Sequence, residues 1–254
     1  MIGEHVLAGY TAGSGGREAL ALAHVIVTLT GGRLTVGTVH PPGRPAAAGE
    51  AQALLDRLPD AETAVQESRG AGRGLSVLAG RVGADLIVVG SAEGGARGRI
   101  SIGSTADNLL HSATQAVMLT PAGYTPLGAL TRITVAYVRR PQVDEAVTRA
   151  AEAARVLDVP LRLLTLSIGD DEDRLRDDLA LAVRASGLDA ETALAEGDDV
   201  ADAAGRTEWD EGEILICASS EDATAHRVFL GETALKLLRA APCPVAVLPR
   251  GYSV

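Results

Sequence analysis

The chain has 254 residues, enough for one large domain or two small ones. Hydrophobic residues make up 46% of the chain but aromatic residues only 2%. The core must therefore be built from Ala, Val, Leu and Ile, and the composition argues against aromatic platforms that stack nucleic-acid bases. The net charge of −10 also disfavours a DNA or RNA partner, because phosphate backbones are bound by positive charge.

The charge is unevenly distributed. The first 125 residues carry 10 acidic and 9 basic side chains, whereas the remainder carries 23 acidic and 14 basic ones. An anionic ligand is therefore expected to prefer the first half. We expect no membrane partner and a cytoplasmic location. The start of the chain has no basic region or signal-like apolar core, and the longest uncharged stretch, residues 19–32, is too short to span a bilayer. Cys217 and Cys243 are interpreted as small core residues.

Strands alternate with helices throughout the first half, which predicts a parallel sheet with right-handed crossovers. Apolar, β-branched and alternating patterns indicate the strands, and longer amphipathic stretches indicate the helices. The predicted strands are His5–Tyr10, Leu34–His40, Glu62–Ser68, Asp85–Val89 and Ala116–Thr120. The predicted helices are Arg17–Leu29, Gly49–Leu58, Gly72–Val82 and Gly103–Ala113, with a turn at Thr11–Gly16.

A glycine-rich loop connects the fourth strand to the last helix of this half. It runs from Gly90 through Gly94, with Arg97 and Arg99 beyond, to Gly103, where a helix begins. Glycines let the backbone approach a phosphate closely, and the free amides of a first helical turn attract anions. The loop therefore predicts an anion site, with a plain glycine-rich connection as the alternative.

The pattern starts again after a short linker at Tyr124–Thr131. The segment GETALKLLRAAPCPVAVLP overlays GSTADNLLHSATQAVMLTP without a gap at an offset of 128 residues. This match indicates a tandem duplication with domains 1–124 and 132–254. The second half is predicted to have strands at Arg132–Val138, Leu161–Ile168, Thr192–Glu196, Glu213–Cys217 and Val245–Leu248, and helices at Gln142–Leu157, Asp171–Ser186 and Val200–Trp209.

The element order and the loop resemble the universal stress protein family, in its tandem form, over nearly the whole chain. The family's nucleotide motif is Gly, two residues, Gly, nine residues, Gly, then Ser or Thr. Gly90 and Gly103-Ser104 stand at its outer positions, and Glu93 replaces the middle glycine. The Tyr10-Thr11 pair and the segment that follows it are also similar to family members.

The resemblance implies an α/β fold of two Rossmann-like domains, each with five parallel strands in the order 3-2-1-4-5. It implies ATP, with Mg²⁺ as a companion, in a crevice at the end of the first and fourth strands. Thr11 stands where nucleotide-binding members have an Asp that contacts adenine. The other positions predicted to line the site are Tyr10, Val39, Val89, Gly90, Gly94, Arg97, Gly103, Ser104 and Thr105.

The second repeat departs further from the motif. Ala218 replaces its first glycine, Glu221 the second, and Glu232 stands where Ser104 does. A glutamate in the first helical turn fills the anion site with the protein's own charge, which predicts that this repeat does not bind ATP. Because family members pair through their last strands, the two halves are expected to form an intramolecular pseudo-dimer, with a homodimer as a further state.

Three functions are therefore considered. The first is a non-catalytic stress-response protein that binds an adenine nucleotide or another anion in its first domain. The second is a nucleotide-free interaction or scaffold module, and the third a slow ATPase. No nucleophile–base pair or metal-ligand spacing is predicted, and His40 is expected to be the histidine nearest the crevice.

Overall fold

A computed structural model describes residues 2–11, 13–43, 58, 60–126, 128–187, 189–223 and 226–251. The chain divides into two compact units, Met1–Pro126 and Leu127–Ser253, and the boundary falls inside the predicted linker. The helix predicted at Gly49–Leu58 lies outside the described residues, apart from its last position. No helix among the described residues is long and apolar enough to cross a membrane.

Each unit contains a parallel sheet in the predicted order 3-2-1-4-5. The first unit follows β3-β2-β1-β4-β5, and the second β8-β7-β6-β9-β10. The strands are β1 His5–Gly9, β2 Arg33–His40, β3 Glu62–Glu67, β4 Leu86–Val89, β5 Ala116–Leu119, β6 Arg132–Ala136, β7 Leu161–Ser167, β8 Ala190–Glu196, β9 Glu213–Ala218 and β10 Val245–Leu248. The α/β fold predicted from the alternation of strands and helices is thus confirmed.

Seven helices are described. They are α1 Ser14–Thr30, α2 Ala71–Val82, α3 Ser104–Ser112, α4 Pro141–Leu157, α5 Glu172–Ser186, α6 Val200–Arg206 and α7 Glu232–Ala240. Strands β1, β4, β5 and β10 are buried along their whole length, as expected for strands covered on both faces. The core is aliphatic, and Cys217 and Cys243 are buried in it as free thiols.

Two predicted helix boundaries were wrong by three residues. Helix α1 begins at Ser14, so half of the predicted turn is helical. Only glycine fits at position 16 in this arrangement, because a Cβ there would lie 2.0 Å from the carbonyl oxygen of Thr11. Helix α6 ends at Arg206 rather than at Trp209. The indole Nε1 of Trp209 donates to the carbonyl oxygen of Ala204 at 2.9 Å, so this residue folds back over the helix end instead of prolonging it.

Candidate functional site

A crevice opens at the carboxyl ends of the strands of the first unit. It is a cavity of about 360 Å³, within the usual size range of small-molecule sites. In parallel sheets the ligand site lies at this edge, where the chain switches direction between the first and fourth strands. Eight of the ten predicted positions line it: Tyr10, Thr11, Val39, Val89, Gly90, Gly103, Ser104 and Thr105.

Glycines let two loops touch at the switch point. A Cβ on Gly90 would lie 2.0 Å from the carbonyl oxygen of Gly15, and a Cβ on Gly15 would lie 2.6 Å from that of Ser91. Both distances are far inside van der Waals contact, so neither position can hold a side chain without moving the backbone. The first motif glycine is therefore needed to pack the β4–α3 loop against the start of α1.

Two glycines of α2 draw that helix close to the crevice walls. A Cβ on Gly74 would lie 2.5 Å from a methyl carbon of Val39, and a Cβ on Gly72 would lie 2.7 Å from the carbonyl oxygen of Thr105. The helix consequently packs on β2 and on α3 at close range, and its residue Leu75 contributes an apolar wall to the cavity.

Three helices of the first unit begin with a glycine cap, and all three contribute to the cavity lining. The N-cap residues are Gly13 for α1, Gly70 for α2 and Gly103 for α3. Glycine has no side chain to accept a hydrogen bond from the first-turn amides, so those amides keep their capacity to bind an acceptor. The helix dipoles add partial positive charge at the same edge of the sheet. The crevice thus suits an anion electrostatically.

Ser91 fixes the loop that carries the motif, a role that the sequence analysis missed. This residue is buried, and its hydroxyl oxygen lies 2.9 Å from the carbonyl oxygen of Thr120 while accepting the amide of Ser101 at 3.2 Å. Ser219 repeats the arrangement in the second unit, donating to the carbonyl oxygen of Leu248 at 2.7 Å. The signal was present in the sequence, because the 128-residue offset places Ser91 on Ser219.

Two predicted residues do not line the cavity. Gly94 is exposed with φ near 76°, and Arg97 forms a backbone bridge with Ala122, its side chain lying beside Gly123. His40 is also outside the lining, with its Nδ1 3.1 Å from the carbonyl oxygen of Pro41. The structure therefore brings the strand ends and the start of α3 together at the cavity. The part of the loop that carries Arg97 lies outside the cavity lining.

Glu93 lines the crevice and reaches across it towards α1. Its carboxylate oxygen would lie 2.6 Å from a Cβ on Gly13, so the carboxylate sits at the N-cap of that helix. A negative charge is stabilised there by the helix dipole. This side chain therefore offsets part of the positive charge that would attract an anion to the crevice. No group of three metal-ligating side chains occurs among the residues that the structure describes.

The second unit has a matching crevice with different chemistry. Its cavity of about 520 Å³ is lined at the motif positions by Ala218, Gly231 and Glu232. The carboxylate of Glu232 lies 2.8 Å from the ammonium of Lys236, and this hydrogen bond lowers the pKa of Glu232. Helices α5 and α6 are capped by side chains of their own, since Asp171 and Asp199 accept first-turn amides. Their amides are thus already partly satisfied.

A carboxylate lies at the opposite edge of each sheet, half-buried in the first unit and buried in the second. The Asp85 carboxylate accepts the amides of Gly3 and Glu4 at 2.8 and 2.9 Å, and burial raises its pKa. At the matching position Glu213 bonds Arg162 at 2.6 Å and Arg132 at 3.0 Å. These groups tie chain segments together below the strands and have no access to either crevice.

The comparisons with known proteins all point to one family. The model of the universal stress protein family matches residues 4–121. Universal stress proteins of Mycobacterium tuberculosis and Mycobacterium bovis are 31% identical to this chain, over 96% of it and 99% of each relative. A universal stress protein of Archaeoglobus fulgidus has the same fold, with a TM-score of 0.71, 16% identity and coverage of 99% of this chain and 100% of its own. The chain belongs to the universal stress protein family.

Proposed function

We propose that this protein binds an adenine nucleotide, ATP, in the crevice of its first unit, and acts in a stress response without catalysing a reaction. The observation that supports this most is the convergence of three glycine-capped helix starts on one cavity at the switch point of the sheet. Bound nucleotide would shift the population of a conformation or an assembly state.

In this proposal the phosphates lie at the start of α3. The amides following Gly103, together with the hydroxyls of Ser104 and Thr105, are the donors available to phosphate oxygens. The adenine lies against the apolar wall formed by Val39 and Leu75. Thr11, at the position where nucleotide-binding relatives have Asp, offers a single hydroxyl to the base.

Magnesium would enter with the nucleotide. Mg²⁺ takes most of its oxygens from phosphates and water and needs only one or two protein carboxylates. Glu93 is the carboxylate that lines the crevice. Without the metal the same carboxylate repels the phosphates, so nucleotide binding should depend on Mg²⁺ more strongly than in a crevice with glycine at this position.

The test is calorimetric titration of the whole chain with ATP. We expect one nucleotide per chain, because the second crevice carries Glu232. Ser104→Glu, which copies that residue into the first unit, should weaken binding about tenfold or more by placing a carboxylate beside the phosphates. Thr63→Glu adds the same charge at an exposed position of β3, outside the cavity, and should bind as the unaltered chain does.

Glu93→Gln is the converse experiment. It should strengthen binding of metal-free ATP, whereas the control Glu67→Gln, on exposed β3, should not. Two nucleotides per chain, or equal affinities for Ser104→Glu and Thr63→Glu, would contradict the proposal.

A nucleotide-free scaffold function is the alternative favoured by Glu93, whose carboxylate occupies the start of α1. Absence of any nucleotide in the purified protein by mass spectrometry, together with no heat of binding, would support it. Slow ATP hydrolysis is a weaker alternative, because Glu93, the one carboxylate among the described residues that line the crevice, lies at the N-cap of α1. Turnover that disappears in Gly103→Val would favour that reading.

We also propose that the two halves pair through their last strands, β5 and β10, as a pseudo-dimer, and that whole chains associate further as homodimers. The halves, expressed separately and mixed, should then form a 1:1 complex on a sizing column with light scattering. Independent elution of the halves would contradict the pairing, and a mass of one chain for the intact protein would contradict the homodimer.

A further inference from the structure

The crevice of the second unit is larger than that of the first and has no ligand assigned to it. Its volume of about 520 Å³ lies within the size range of small-molecule sites. The cavity is lined entirely by residues of the second unit. The ligand that this cavity can bind depends on its inner surface, on the charges at its rim and on the stability of the loop at its mouth.

The inner surface of this cavity is apolar. Val143, Leu164 and Leu237 are buried side chains that line it, and Leu166 lies beside them. At the mouth Val138 is 49% exposed. Covering this exposed apolar surface is favourable at roughly 25 cal/mol per Å². The cavity therefore favours a ligand with an apolar body.

The rim of the cavity is acidic. Asp170, Asp222 and Glu232 line it, against one cation, Arg140. Arg140 is engaged with Glu221 at 3.2 Å, and Glu232 with Lys236. Within the described part of the chain, Asp170 and Asp222 form no ion pair. Anions are thus repelled by the rim, whereas a cation would find two carboxylates available to it.

Residues 219–222 form one side of the mouth, and hydrogen bonds around them are in place before any ligand arrives. Ser219 donates to the carbonyl oxygen of Leu248, and its hydroxyl accepts the amide of Phe229 at 3.3 Å. The guanidinium of Arg250 donates to the carbonyl oxygen of Glu221 at 2.7 Å and to that of Ala223 at 3.2 Å. A preformed site costs little ordering on binding.

We propose that the second crevice binds a small organic cation, an amine with an aliphatic or aromatic body. The body lies on Leu164 and Leu166, and the ammonium group lies at the rim with Asp170 and Asp222. A bare metal ion does not fit, because the described residues contain no cluster of three metal-ligating side chains. This assignment is independent of nucleotide binding in the first unit, and it makes the duplication a pair of sites of opposite charge preference.

The test compares three probes that share a phenylethyl body on the intact chain: 2-phenylethylamine, 2-phenylethanol and 3-phenylpropanoate. At neutral pH they are a cation, a neutral molecule and an anion. Binding is followed through the methyl NMR signals of Val138, Leu164 and Leu166, with and without ATP. The amine should bind about tenfold more tightly than the alcohol, and the carboxylate more weakly than both.

Asp170→Asn and Asp222→Asn should each weaken amine binding by about three- to tenfold and leave the alcohol unchanged. Both positions are exposed, so the fold should persist. Asp189→Asn removes an equal charge from an exposed position of the same unit outside the cavity, and it should bind the amine as before. Equal affinities for the three probes, no shift of the three methyl signals, or unaltered amine binding in both Asn variants would each overturn the proposal.

Discussion

The two outer motif glycines should respond very differently to the same substitution. In Gly90→Ala the added Cβ would meet the carbonyl oxygen of Gly15 at 2.0 Å, so the two loops must separate by about 1.4 Å to reach ordinary contact. In Gly103→Ala the nearest atom is the Cβ of Ala92 at 3.3 Å, and the backbone there is extended, with φ near −91°. The first change strains two backbone segments, whereas the second needs only a few tenths of an ångström.

Overpacking that forces backbone shifts costs about 1–3 kcal/mol, and we expect Gly90→Ala to lower the free energy of unfolding by that amount. In Gly103→Ala a poorer N-cap costs under about 1 kcal/mol, and reduced freedom of the unfolded chain offsets part of it. Urea denaturation followed by circular dichroism measures both values on the intact chain. If Gly90→Ala were no less stable than Gly103→Ala, the close approach of the two loops would not be a feature of the protein in solution.

Three further predictions concern the second unit. Ser219→Ala should lower the free energy of unfolding by about 1–3 kcal/mol in urea titrations, because it removes the two hydrogen bonds that the buried hydroxyl forms with Leu248 and Phe229. Burial raises the pKa of Cys217 to about 12, so its thiol should resist iodoacetamide in the folded state. Since the unfolded thiol ionises first, stability should fall as pH rises from about 9 towards 12, which denaturation at stepped pH would reveal. Arg162→Met removes one of the two ion-pair partners of the buried Glu213 and should lower the free energy of unfolding by about 3–5 kcal/mol. Arg176→Gln, in an exposed ion pair, should lower it far less in the same assay.

The parts of the fold that sequence could predict are those governed by local pattern. Strand β4 is a continuous apolar run rich in β-branched residues, and Leu86–Val89 is buried on both faces as that pattern indicates. The offset of 128 residues located both crevices, because equivalent strand ends lie at equivalent places in a duplicated sheet. Boundaries set by a hydrogen bond from a side chain to the backbone were harder to predict from sequence. The bond from Trp209 to the carbonyl oxygen of Ala204, at the end of α6, is an example.

The parts of the site that sequence missed depend on contacts between distant segments. Arg97 follows the loop glycines and was expected near phosphate, yet the backbone around it is bonded to Ala122, after β5. Glu93 was recognised as a departure from the motif, but its position at Gly13 follows from tertiary packing of the loop on α1. Neither contact has a signature at fixed spacing along the chain.

The buried serines Ser91 and Ser219 give the two loops the same anchor although the ligand-facing residues differ. Loop architecture and ligand selectivity are therefore separable in this scaffold, and selectivity becomes an exchangeable property. Glu232→Ser, combined with changes at the acidic rim, would alter the ligand selectivity of the second crevice and leave the loop backbone unchanged. Substitutions at a few rim positions can then change which ligand each copy of a duplicated domain binds. The anchoring serine hydroxyl maintains the loop conformation in both copies.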